Sequence, residues 1–488
     1  MSKKLILLLT CSFFVRLVGA NQSFWLDETA QATISRSNIL DINFAADFQP
    51  PLSYILSHFW QGIGFNQEWF LRLPSIIFGV LTIYFTYLIV KKLADEKTAF
   101  LVSIFLVVNP YHIYFSQEYR MYSMFAFLAT LSWYLLLKKQ WVWYGLSIVL
   151  MLYTHYFSFL VLSGQAVYMV WQGREDLKKW LITSFCAGLT FVPWLMVLKN
   201  QLKTAHDLVT AWPKWQEIAG VAFWKFPFLL LAKFTVGMIS PPKLIYVGAF
   251  GLMVIITGFI FLSLTKDYIH QFLNRHSLEK GVPGYANTSI IICWLFIPFL
   301  IAWVASLWFH ANSPHRFVFL IPAFCSFLAI GISAKKGPST NRIYFLMSSI
   351  IGIIFVLFSS IYLFNSGFQR EDWKGAISYV DSLMKGSDRA LTEFTGTLAP
   401  MDWYSKNPQK YQGSSSEMKI TNKTIKDKLG RYFTKNSLVP QNIFIFSYLF
   451  QISDPDRKVE EYIRANGYKL TEEKDFRGVG IVRKYTRY

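Results

Sequence analysis

Apolar runs of about 20 residues recur along most of this chain, and that repetition constrains the fold more than any other feature. A helix rises about 1.5 Å per residue, so a run near 20 residues crosses roughly 30 Å of hydrocarbon. About 11 spans, some shorter than that, are expected near 4–20, 72–90, 98–110, 121–137, 141–154, 157–172, 180–198, 244–264, 289–309, 316–334 and 343–364. The apolar segment 52–64 is shorter and reads as interfacial. Only 16% of residues are charged, against about 25% in soluble chains. The expected fold is mainly α, a polytopic membrane helical bundle.

The basic residues give this bundle an orientation. Lys91, Lys92 and Lys97 share one connection; Lys138 and Lys139 share another. Arg174, Lys178 and Lys179, then Lys266, Arg275 and Lys280, then Lys335, Lys336 and Arg342 follow. All fall on the side of the N-terminus, which the positive-inside rule makes cytoplasmic. The net charge of +19 therefore belongs to cytoplasmic loops facing anionic lipid, and nucleic-acid binding is not expected. Met1-Ser2-Lys3-Lys4 and the following leucines look like a secretory signal, but Arg16 interrupts them and a retained anchor is expected. The loop 199–243, with six lysines on the outer side, conflicts with the rule. The four cysteines lie in expected spans without paired spacing, so neither a disulfide framework nor a zinc site is expected.

From about Asn365 the apolar runs shorten and charge becomes dense. Asn442 to Phe446 and Gly478 to Val482 read as strands, Trp373 to Met384 and Lys458 to Ala465 as helices, and Gln412 to Ser416 as a flexible loop. The expected organisation is a membrane domain over 1–364 and a small extracytoplasmic α/β domain over 365–488.

The polar residues that stand out cluster at the outer ends of spans. Asp27 and Glu28 follow the first span, and carboxylates at such a position are functional candidates. Two readings stand for the pair: a general base for a hydroxyl acceptor, or a cap for a helix running through Ala30 to Ser35. Their loop also holds Asp41 and Asp47. Gln49-Pro50-Pro51-Leu52-Ser53-Tyr54 is a stiff turn in which Gln49 is a ligand candidate. Arg72, in Arg72-Leu73-Pro74-Ser75, either snorkels or meets a phosphate. Ser116-Gln117-Glu118-Tyr119-Arg120-Met121-Tyr122 packs charge and aromatics into a short reach, and the planar fork of Arg120 matches phosphate oxygens. The alternative is an interfacial aromatic belt with an ion pair. His155 and the pair His315-Arg316 stand at the same face. A divalent metal shared by His310, His315 and Glu118 stays open, without known ligand spacing to support it.

In this order the motifs resemble the GT-C membrane glycosyltransferases, in particular the protein O-mannosyltransferase-like branch that includes the aminoarabinose transferases of lipid A. Asp27-Glu28, Pro50-Pro51-Leu52, Arg72-Leu73-Pro74-Ser75, Ser116-Gln117-Glu118-Tyr119-Arg120-Met121-Tyr122, Pro193-Trp194, Arg316-Phe317 before Pro322, and Glu371-Asp372-Trp373-Lys374 carry the likeness. Gln49 departs from the family's usual His. The resemblance implies the GT-C fold and an inverting transfer of a sugar from a polyprenyl-phosphate donor to a hydroxyl on a glycan, lipid or protein. It implies Asp27 and Glu28 as catalytic residues, and Arg72, Arg120 and Arg316 around the donor phosphate. Gln49, Glu118, Tyr122 and His155 are expected to contact sugar or acceptor. Loop 199–243, with Trp212 and Trp215, is expected to close over the headgroup. The expected location is a bacterial plasma membrane, with the site on the extracytoplasmic face. A polyprenyl-lipid flippase is the competing reading, weakened by the lack of an internal repeat.

Overall fold

A computed structural model describes residues 2–37, 44, 47–212, 220–273, 289–308, 313–333, 338–433 and 439–487. The first helix, α1 (Lys3–Leu17), carries Arg16 into the bundle interior. A buried cation is tolerated only when its donors are met. Arg16 donates to Ser12 Oγ at 2.6 Å and to the Leu106 carbonyl at 3.0 Å, and lies 2.7 Å from His112 Nδ1. The charge that interrupts the first apolar run thus ties α1 to the helices beside it.

An amphipathic helix, α2 (Leu26–Arg36), follows, then α3 (Leu52–Gln61) and the long apolar α4 (Leu73–Leu93). Next come α5 (Glu96–Val108) and α6 (Pro110–Ser116), which meet at 63°. The kink has a local cause. Pro110 cannot continue the α5 hydrogen bonding, and Asn109 Oδ1 accepts the His112 N–H at 2.9 Å to start a new helix. The kink turns the chain so that residues 117–121 cross the end of the bundle before α7 (Tyr122–Leu137).

Among the described residues, four single helices are long and apolar enough to cross a membrane: Glu68–Leu93, Lys243–Thr265, Pro314–Ser333 and Arg342–Phe364. Two bent pairs raise this to six. The apolar stretches expected near 121–172 are the helices α7, α8 (Trp141–Leu152) and α9 (Ser158–Val170), of 16, 12 and 13 residues. Most of α7 is buried by its neighbours.

The expected outer loop 199–243 is also partly helical. From α10 (Arg174–Leu189) the chain bends by 41° into α11 (Leu195–Ala211). An apolar helix, α12 (Phe226–Val236), follows. The last part of the bundle is α13 (Lys243–Leu273), α14 (Ile297–Ala305), α15 (Ile321–Ser333) and α16 (Pro338–Phe364). Buried apolar residues from Leu5 to Leu363 form one continuous core.

After α16 the chain builds a five-stranded sheet in the order β2-β1-β3-β5-β4. Strands β1 (Arg389–Thr392), β2 (Tyr411–Gly413) and β3 (Asn442–Phe446) are parallel. Strands β4 (Tyr468–Phe476) and β5 (Gly480–Arg487) extend the sheet antiparallel from β3. Side chains alternate along β3, so Phe444 and Phe446 face one small core with Trp373, and Ile443 and Ile445 face another with Val459. The stretch expected as a flexible loop, Gln412 to Ser416, instead supplies part of β2, and Ser414 and Ser415 are buried.

Candidate active site

The two carboxylates of the acidic pair part company. Glu28 sits at the third position of α2 and accepts the Trp25 N–H at 3.3 Å, so the capping carboxylate is Glu28. It is fully buried and gripped by Arg72, whose Nε lies 2.8 Å from Oε1 and Nη2 2.5 Å from Oε2. The Tyr119 N–H adds a bond of 2.7 Å. Burial alone would raise the Glu28 carboxyl, but Arg72, Arg370 and the Tyr119 amide overcome it and hold it below the usual carboxylate range.

These contacts correct two expectations. Arg72 spends its remaining donors on the Ala20, Gln22 and Ser23 carbonyls. Fully buried and committed in this way, it cannot be the phosphate ligand expected of it, and Glu28 cannot be a base reached by substrate. Together they lock α2 to the start of α4 and to the 117–121 segment.

Asp27 lies one residue earlier and faces the other way. Its side chain keeps 40% of its surface accessible, and Arg120 Nη2 stands 4.0 Å from its Oδ2. Arg120 is buried, with Nη1 3.1 Å from Asp47 Oδ2 and Nε without a protein partner. Asp47 in turn accepts the Tyr54 hydroxyl. Burial raises the Asp27 carboxyl despite the opposing charge of Arg120, and Asp47 and Glu28 push it the same way. Asp47 moves in the opposite direction, because Arg120 and the Tyr54 hydroxyl outweigh its burial.

Beside this group lies a cavity of about 370 Å³ lined in part by Gln49, His155, Tyr156, Gln201, Leu202 and Arg316. Arg316 acts electrostatically on both Asp27 and His155. Tyr122 is buried in the adjoining wall, its ring 5.4 Å from that of His315 and 6.2 Å from that of His155. The opposite wall is α11. Gln201 from α11 donates to the carbonyls of Phe44 and Asp47, each at 2.7 Å, and of Gln49 at 3.1 Å, fixing the strand that carries Asp47 and Gln49. A second, apolar cavity of about 340 Å³ opens between α12, α13 and α15, lined by Leu230, Phe234, Phe261, Phe296 and Phe327 among others.

Glu118 stands apart from the cavity, contrary to its expected sugar contact. It is buried, and its Oε2 lies 3.1 Å from Arg370 Nη1, a residue of the link to the sheet. The next residue, Glu371, accepts the Leu26 N–H at 3.2 Å and the Trp373 indole N–H at 2.7 Å. Trp212, at the end of α11, packs its ring on Phe394 and donates to the Met418 carbonyl at 3.1 Å. Trp215 and His310 lie outside the described residues. Among the described residues, no three His, Cys, Asp or Glu side chains group closely enough to hold a metal ion.

Sequence reasoning missed Asp47 and Arg370 as parts of the site. Asp47 carried one signal, as a carboxylate in the same outer loop as Asp27. Arg370 sat beside the Glu371-Asp372-Trp373-Lys374 motif and carried no signal of its own.

The multi-helix bundle with a small α/β sheet domain has the GT-C fold, as its similarity to solved structures shows. Residues 48–197 match the model of the dolichyl-phosphate-mannose-protein mannosyltransferase family. Among solved structures, ArnT from Cupriavidus metallidurans bound to undecaprenyl phosphate is similar, with a TM-score of 0.59 and 11% identity over 98% of this chain and 97% of that one. The Archaeoglobus fulgidus oligosaccharyltransferase, in complex with zinc and sulfate, has a TM-score of 0.54 and 13% identity over 96% of this chain and 72% of that one. The archaeal oligosaccharyltransferase AglB from Archaeoglobus fulgidus, in complex with an inhibitory peptide and a dolichol-phosphate, has a TM-score of 0.54 and 11% identity over 91% of this chain and 69% of that one. No curated protein sequence matches the chain.

Proposed function

We propose that this protein is an inverting glycosyltransferase that moves a sugar from a polyprenyl-phosphate donor to a hydroxyl acceptor on the extracytoplasmic face of a plasma membrane. One observation carries the reading: Asp27 is an accessible carboxylate held 4.0 Å from a buried Arg120, beside a cavity that also holds Arg316. A base and a pair of cations meet there, as transfer from a phosphate requires. The structures similar to this chain include one holding undecaprenyl phosphate and one holding a dolichol-phosphate, which supports a lipid-linked donor.

Asp27 takes the proton of the acceptor hydroxyl as its oxygen bonds to the sugar C1. The bond from C1 to the phosphate oxygen breaks, and its electron pair leaves with the polyprenyl phosphate. The unpartnered Nε–H of Arg120 and the guanidinium of Arg316 stabilise that anion in a site of low dielectric. Attack from the face opposite the leaving group inverts C1. The apolar cavity between α12, α13 and α15 suits the polyprenyl tail. The membrane domain over 1–364 holds this chemistry, with the N-terminus cytoplasmic and the domain over 365–488 outside.

The test is purified protein in lipid, given polyprenyl-phosphate sugars and candidate acceptors, with release of free polyprenyl phosphate as readout. Turnover by the wild type and its loss in Asp27→Asn is the expected result. Lipid movement across the bilayer with no new glycosidic bond would replace the reading with a flippase.

A further inference from the structure

We propose that the cavity between the end of α2, the turn 62–67 and the sheet domain holds the headgroup of an anionic phospholipid, with the exposed apolar side chains of that turn set among the lipids around it. The site is separate from the cavity beside Asp27: Arg36, which lines it, stands at the far end of α2, about 14 Å along the helix from Asp27.

The run Glu68–Leu93 is long and apolar enough to cross a membrane, so its first turn marks one membrane surface. The chain reaches that turn through residues 62–67, every one of them exposed. Phe59, Ile63, Phe65 and Trp69, within and beside this turn, are large apolar side chains open to the surroundings. Aromatic side chains bared at the end of a span belong at the boundary between lipid and water. They are held there by packing, since the rings of Trp60, Phe65 and Trp69 lie 4.9, 5.2 and 5.9 Å from that of Phe70.

Beside this patch lies a cavity of about 350 Å³, lined by Arg36, Asn66, Gln67, Glu68, Lys374 and Trp403 among others. Its charged groups are two cations, Arg36 and Lys374, and one anion, Glu68. Glu68 is spent within the protein. It is buried, and its Oε1 accepts from Lys374 Nζ at 2.9 Å and from the Tyr404 hydroxyl at 3.2 Å. Lys374 keeps 54% of its side chain exposed, and an ammonium has two further donors to give. Arg36 is exposed and has no carboxylate partner among the described residues. Its guanidinium is held over the Trp403 ring, 3.7 Å from the centroid, with Nη2 3.4 Å from Asn66 Oδ1. A guanidinium whose plane is fixed by stacking presents its remaining donors to phosphate oxygens as a fork. The one positive charge in excess matches a headgroup of one net negative charge. A zwitterionic headgroup brings an ammonium towards Arg36 and Lys374 and finds Glu68 already taken.

The experiment gives the purified protein in detergent phosphatidylglycerol, phosphatidylcholine or soluble glycerol phosphate, and reads bound lipid by native mass spectrometry and the thermal midpoint. Wild type is expected to retain phosphatidylglycerol over phosphatidylcholine, and Arg36→Gln with Lys374→Gln to lower that ratio by about fivefold for each cation removed, the usual worth of one basic residue at an anionic surface. Lys178→Gln with Lys179→Gln removes the same charge from the other end of the bundle and is expected to leave the ratio nearer wild type. Phe65→Ser is expected to weaken both lipids alike. Arg36→Gln alone, a change to an exposed side chain, keeps the test decisive if loss of Lys374 leaves Glu68 unpaired and the fold unstable. Equal retention of the two lipids overturns the inference, as does a ratio lowered equally by the two double variants. Stabilisation by glycerol phosphate as large as that by phosphatidylglycerol would assign the cavity to a soluble phosphate, and a dimer that forms through Phe59 and Phe65 and excludes lipid would assign the patch to a second copy of the chain; either result overturns the lipid.

Discussion

The carboxylate of Glu371 accepts the backbone N–H of Leu26, the residue directly before Asp27. The sheet domain therefore holds the first turn of the helix that presents the accessible carboxylate. The same carboxylate accepts the Tyr448 hydroxyl at 3.1 Å, from the end of β3. Glu371→Ala removes the anchor at the sheet side and leaves an orphan amide at the helix start. Loss of such a cap costs on the order of 1 kcal/mol. The expected outcome is a fall in kcat with little change in KM for donor, since Glu371 touches the helix and not the cavity. A variant with an unchanged kcat would remove Glu371 from the positioning of Asp27.

Glu28 and Arg72 are expected to behave as a stability pair. Truncating one partner of a buried ion pair strands the other charge, at a cost of about 3–5 kcal/mol. Glu28→Gln and Arg72→Met should each lower the thermal midpoint in detergent sharply. The double variant should be less damaged than the sum of the two. Asp27→Asn should leave that midpoint near wild type. An Asp27→Asn variant as unstable as Glu28→Gln would show that the two carboxylates share one structural role.

Much of this arrangement was legible in the sequence, and the gaps have physical causes. The 3.6-residue and 2-residue periodicities located Lys458–Ala465 and Asn442–Phe446 correctly. Strand β4 was missed because Leu470-Thr471-Glu472-Glu473-Lys474 is exposed at every position, so no alternation marks it. The division of labour between Asp27 and Glu28 was invisible because it depends on Arg72, 44 residues further on. Arg72 itself was misjudged for the same reason: a guanidinium at a span mouth looks the same whether it meets a phosphate or three carbonyls of its own chain.

The sheet domain has a pH dependence of its own. Burial pushes the Glu393 carboxyl up to about 8, against the opposing charge of Arg457, whose Nη1 lies 3.6 Å away. A carboxyl raised on folding binds its proton more tightly in the folded state. Folding stability should therefore fall as pH rises from the ordinary glutamate range towards 8, by at most about 1.4 kcal/mol per pH unit. Glu393→Gln should flatten this slope and gain most at the upper end. Thermal midpoints of wild type and variant between pH 5 and 8 check it. Parallel curves would show that Glu393 is ionised in the folded protein throughout.

The neighbours of Asp27 should move its titration in opposite directions. A general base works deprotonated, so kcat/KM should fall on acidification, with its midpoint above the ordinary aspartate range because burial raises Asp27. Asp47 raises it further as a nearby anion, and it also holds Arg120 at 3.1 Å. Asp47→Asn removes the repulsion and leaves Arg120 to Asp27, so the acid limb should move to lower pH. Arg120→Gln removes the cation that opposes burial, so the limb should move to higher pH, together with a loss of rate from the unsupported phosphate. The pH–rate profiles of the two variants decide this together. Shifts in the same direction, or none, would mean that the titrating base is not Asp27.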